Sequence, residues 1–124
     1  MGMLFINSSI NSSSIMESEL NGISEIYRHS FSKSWNYYSN VASPWSYSTS
    51  YTTPSTYSVI ICLCSVNGIY NPMGVITGNG KSKSGCLIMT NISSGTQINF
   101  GFSVAREQTN SDQPYTMNVI ILAK

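Results

Sequence analysis

Side chains able to carry chemistry are few in this chain. It holds three cysteines (Cys62, Cys64, Cys86), one histidine (His29) and five acidic residues (Glu17, Glu19, Glu25, Glu107, Asp112). Structural zinc sites take four ligands, commonly as two close pairs. Cys62 and Cys64 have no second pair at that spacing and His29 stands alone, so neither a metal site nor a cofactor is expected. Cys62 and Cys64 sit two apart in VIICLCSV, which puts both on one face of a strand, and Cys86 opens GCLIM. A bridge from Cys86 to either one is open if their strands are neighbours; the alternative is three buried thiols acting as small hydrophobes. Acid–base catalysis needs paired groups with perturbed pKa values. Glu17, Glu19 and Glu25 cluster near the N-terminus, Glu107 and Asp112 share one loop, and neither set is expected to do more than solvate a surface. No G-x-S-x-G elbow occurs. GNGKSKSG (78–85) has the residue types of a phosphate loop without the G-x-x-x-x-G-K-[ST] spacing, and it reads as a long exposed hairpin tip between strands. The chain is not expected to be an enzyme.

What remains is binding chemistry. Residues 45–57, WSYSTSYTTPSTY, set rings among hydroxyls with no charge. On a strand, Trp45, Tyr47, Thr49, Tyr51 and Thr53 share one face and Ser46, Ser48, Ser50 and Thr52 the other. Pro44 and Pro54 bracket the run, and proline cannot donate to a ladder, so an edge strand is expected. Trp35, Tyr38, Trp45, Tyr47 and Tyr51 form a candidate platform on which a neutral glycan can stack. The competing reading puts the same rings into a subunit interface, where Tyr and Trp are enriched.

Composition narrows the classes further. At 124 residues the chain is one domain by size. Charged residues make up 9%, against about 25% in an average globular domain. A net charge of +1 with scattered Lys and Arg gives no electrostatic footing for nucleic acid or an anionic membrane. No apolar run reaches bilayer length, and MGMLFI (1–6) is too short for a secretory leader. A polar, nearly neutral surface favours large self-complementary contacts.

The elements that must position these residues follow from periodicity. Ser14 with Glu17 makes a capping-box pattern, and Arg28 and His29 suit a helix C-terminus. Met16, Leu20, Ile23 and Tyr27 step by four, three and four, which predicts a short amphipathic helix. That helix either packs on the sheet or forms a bundle at an oligomer axis. From residue 57 the chain reads as strands: Tyr57–Val66 apolar on both faces and central, Val75–Thr77 short, Cys86–Thr90, Gln97–Arg106 alternating with Ile98, Phe100, Phe102 and Val104 inward, and Tyr115–Ala123 last. Asn67-Gly68 reads as a turn. The expected fold is mainly β: an antiparallel β-sandwich of six or seven strands, jelly-roll or Greek-key like, preceded by one short N-terminal helix. Residues 1–56 supply the helix and a Ser/aromatic-rich extended segment, and residues 57–124 the sandwich core, with 45–56 joined to it.

In style the chain resembles small bacteriophage virion proteins: fibre tips, receptor-binding heads and head-decoration subunits. IMESELNGISEIY at the front, and TQINFGFSVAREQ with YTMNVIILAK at the back, carry the resemblance. It implies a virion location after assembly in the host cytoplasm, a homotrimer with other virion proteins as neighbours, and, for fibre tips, a host-surface glycan as ligand. Met16, Leu20, Ile23, Tyr27, Phe100 and Phe102 are the candidate oligomer-interface residues. A secreted monomeric carbohydrate-binding module is the alternative.

Overall fold

The computed structural model describes residues 21–35, 45–68, 72–104 and 113–124. They form eight strands and no helix: β1 Ser24–Trp35, β2 Trp45–Thr52, β3 Tyr57–Gly68, β4 Val75–Gly78, β5 Lys81–Ser84, β6 Cys86–Ile92, β7 Gln97–Val104 and β8 Gln113–Ala123. Two four-stranded antiparallel sheets result, ordered β1-β8-β3-β6 and β2-β7-β4-β5.

The pairing is nested. β1 pairs with β8, β2 with β7, β3 with β6 and β4 with β5. The chain is therefore one long antiparallel ribbon, with its tip at the β4–β5 turn. Further pairs, β3 with β8 and β4 with β7, wrap the ribbon into two sheets. At the tip, Asn79 and Gly80 have φ of 51° and 76°. Two successive positive φ values make the two-residue turn that matches strand twist. The long loop expected over 78–85 is thus a tight turn followed by a strand.

Where the ribbon passes from β2–β7 to β3–β6, the segments 53–56 and 93–96 bend together. Thr53 clasps them. Its hydroxyl donates to the Ser93 carbonyl (2.8 Å) and accepts from the Thr96 N–H (2.9 Å). Its N–H donates to the Thr96 carbonyl (2.9 Å), and its carbonyl accepts from Gly95 (2.8 Å). Thr53 is the only buried polar residue among those described, and these bonds offset its loss of water.

The inner faces of both sheets feed one core. Ile60, Cys62, Cys64, Leu87, Met89, Tyr115, Met117, Val119 and Ile121 come from the first sheet, and Ile76, Ile98, Phe100, Phe102 and Val104 from the second. Gln97–Val104 alternates as its sequence predicts. The apolar C-terminal strand β8 lies between β1 and β3, so both its edges are hydrogen-bonded.

The predicted helix is not there in the part that can be seen. Residues 14–20 lie outside the described residues, but Ser24–Trp35, which includes Glu25, Tyr27, Arg28 and His29, is strand β1. Gly22 turns into it at φ 85°. The physical reason lies in a second periodicity. Tyr27, His29 and Phe31 are half-buried on one face while Arg28, Ser30 and Ser32 are exposed on the other. Pairing with β8 along its length gives hydrogen-bond partners to the backbone groups on the β8 side of a Ser- and aromatic-rich tract that has weak helix propensity. Asn67-Gly68 is likewise no turn. It ends β3, with Gly68 opposite Tyr115. A Cβ at Gly68 would overlap the Tyr115 ring, so the glycine serves close packing and not chain reversal.

Candidate functional site

The aromatic residues gather where the edge strands of the two sheets meet. β1 is an edge of one sheet and β2 an edge of the other. Tyr47 lies over Phe31 with ring centroids 3.4 Å apart and planes 11° from parallel. Tyr51 meets Tyr27 at 4.5 Å, and the Tyr47 hydroxyl lies 3.1 Å from His29 Nε2. The rings of Tyr47 and Tyr51 thus point towards the core, as alternation requires, and pack against β1. Burial raises the Tyr51 phenol above its ordinary pKa, with Tyr57 and Tyr27 adding to the effect.

This places the candidate ligand residues. Tyr47 and Tyr51 are half-buried in the seam, Tyr47 stacked on Phe31 and Tyr51 packed on Tyr27. Trp35 and Trp45 are fixed by backbone pairing opposite Gln113 and Val104. Tyr38 lies outside the described residues. Of the candidate interface residues, Met16 and Leu20 also lie outside them. Ile23 precedes β1, and Tyr27 packs on Tyr51. Phe100 and Phe102 are 1% and 4% exposed within the chain's own core. They are corrected from interface to core, because the inward face of β7 is already filled.

The surface with binding character is the outer face of the β1-β8-β3-β6 sheet. Two rows cross it in register. Ile88 opposes Ile61, which opposes Leu122, which opposes Glu25. In the next row Cys86 opposes Leu63, which opposes Ile120, which opposes Arg28. Ile88 is 58% exposed and Ile61, Leu63, Ile120 and Leu122 are half-buried. A Glu25–Arg28 ion pair (2.7 Å) rims this apolar band on β1. Its hydrogen bonds hold the Glu25 carboxyl below its usual pKa. Farther along, the face turns polar through Ser65, Asn118 and Ser30. The outer face of the other sheet carries small neutral groups instead: Ser46, Ser48, Ser50, Thr77, Asn99 and Ser103.

Reading the sequence missed this band. Its signal was β3 and β8 being apolar on both faces. In a two-layer molecule one face of such a strand points away from the core, so two-sided apolarity marks a second surface to be covered.

The cysteines do not bridge. Cys62 and Cys64 are buried on the inner face, while Cys86 is exposed on the outer face opposite Leu63. Burial pushes the Cys62 thiol up to about 12 and the Cys64 thiol up to about 11. They are inert packing groups at neutral pH. Among the described residues no three His, Cys, Asp or Glu side chains gather to hold a metal ion. Nor is any helix there long and apolar enough to cross a membrane. No protein-family model and no curated protein matches this chain.

Proposed function

We propose that this chain is a non-enzymatic structural subunit that assembles with copies of itself, of the kind that builds fibres or decoration layers on a bacteriophage particle. One observation carries the reading: the outward apolar band of Ile61, Leu63, Ile88, Ile120 and Leu122, lying in register across three strands. Removing such area from water contributes about 25 cal/mol per Å². The band is rimmed by a self-paired Glu25–Arg28, so covering it leaves no stranded charge.

The nested strand order supports the particle setting. We read the two sheets as a β-sandwich of jelly-roll type, an architecture used by viral capsid and lectin domains. That step is analogy of fold, and the function rests on the surface. Sparse charge fits it as well, since subunits of net charge +1 repel each other little. A host glycan remains a secondary partner, with Trp35, Tyr38 and Trp45 as its candidate contacts.

Light-scattering mass across the micromolar range tests the reading. The wild type is expected at a multiple of 13.6 kDa. Leu63→Lys with Leu122→Lys is expected at the monomer mass with unchanged far-UV circular dichroism. A wild type that stays monomeric throughout that range overturns the proposal.

A further inference from the structure

The four sheet edges are not alike. An open edge is a template for another strand, and proteins blunt edges with charge, proline or bulges. β5 carries Lys81 and Lys83, opposite the buried Gly78 and Ile76, on the inward-facing side of the strand. β1 carries Arg28 and Lys33 and a register shift between Glu25 and Tyr27. β2 is bracketed in the sequence by Pro44 and Pro54. β6, CLIMTNI, has no charge and no proline, and no described strand lies on its far side.

The direction of its backbone groups is set. The Cys64 N–H donates to the Gly85 carbonyl at 2.9 Å, so that carbonyl points at β3. Across a trans peptide the N–H of Cys86 points the other way. Alternation then aims the N–H and C=O groups of Cys86, Ile88 and Thr90 off the free edge. All three residues are exposed.

We propose that β6 pairs antiparallel with β6 of a second copy about a two-fold axis at Ile88, joining two β1-β8-β3-β6 sheets into one. This rests on the self-assembly reading and names the partner and the register. A second copy fits because the edge is its own complement. Ile88 opposes the partner's Ile88, Cys86 opposes the partner's Thr90, and each such pair exchanges both backbone groups. No like charges meet. The Ile88–Ile61–Leu122 row continues across the axis, so the apolar band doubles in width. The contact is isologous and closes on itself, which limits the edge to one partner.

Disulfide trapping in the full-length chain tests it. Opposed residues of a hydrogen-bonded antiparallel pair have Cα atoms about 5.5 Å apart, within bridging range. In a Cys86→Ser background, Ile88→Cys is expected to form a covalent dimer roughly tenfold faster than Ser103→Cys, whose thiol sits on the outer face of the other sheet. In the otherwise wild-type chain, Ile88→Lys is expected to lower the assembled mass with unchanged circular dichroism. Equal cross-linking rates, or an Ile88→Lys mass equal to the wild type, overturn the edge pairing. If the wild type is then still multimeric, the assembly reading stands without it. If the wild type is monomeric, both fall.

Discussion

The Phe31 and Tyr47 rings stack face to face across the gap between β1 and β2, with centroids 3.4 Å apart. They fasten together two edge strands that share no backbone hydrogen bonds. Tyr47→Ala is therefore expected to cost about 2–3 kcal/mol, below the range for a fully buried aromatic because Tyr47 is half-buried. Tyr47→Phe keeps the stack, loses only the contact with His29, and is expected to cost about 1 kcal/mol. Urea unfolding midpoints measure both; equal midpoints for the two variants would show that the stack adds nothing.

Thr53 offers a second measurement. Thr53→Val keeps the shape of the side chain but removes the hydroxyl that bonds the Ser93 carbonyl and the Thr96 N–H. Stranding those two groups is expected to cost about 1–3 kcal/mol. The same urea titration reads it, and a midpoint unmoved from wild type would mean that water replaces the hydroxyl.

Gly68→Ala tests the close approach of Tyr115. The added Cβ meets the ring of a residue that is itself only 1% exposed and cannot swing away. Overpacking of this kind is expected to cost about 1–3 kcal/mol, although alanine is otherwise the better strand residue. A Gly68→Ala chain as stable as wild type would mean that β3 and β8 shift apart at no cost.

The thiols give a test that depends on pH. In the native chain at neutral pH, only Cys86 is expected to react quickly with a thiol reagent, and all three cysteines after denaturation. Buried Cys64 and Cys62 ionise at about 11 and about 12 when folded, against an ordinary value of 9.0. Their folded pKa values are raised, so the stabilisation is complete below about pH 9 and is lost as pH climbs towards 11 and 12. The unfolding midpoint is expected to fall across that window, and less steeply in Cys62→Ala. A midpoint flat across that window contradicts the burial of the thiols.

Much of the fold could be read from local pattern. The period-two alternation of 45–52 and of 97–104 is a property of short stretches, and it identified both strands and, for 97–104, the buried face. The two-sided apolarity of 57–66 identified a central strand, which β3 is, lying between β8 and β6. The site was less legible. The rings of Tyr47 and Tyr51 were correctly set on one face, but whether that face meets solvent or a neighbouring strand depends on β1, many residues away in sequence.

By itself, then, the sequence determined that 45–52, 57–66 and 97–104 are pleated and which of their side chains share a face, because each of these is decided within a few residues. Tertiary structure alone decided the rest. Ser24–Glu25 became strand because Ala123 and Leu122 hold it there, against caps and heptad spacing that favoured helix. Which apolar face of β3 and β8 turns inward, and which stays outside as a band seeking cover, was settled by where the second sheet lies. Pairings between chain ends so far apart leave no trace in local periodicity.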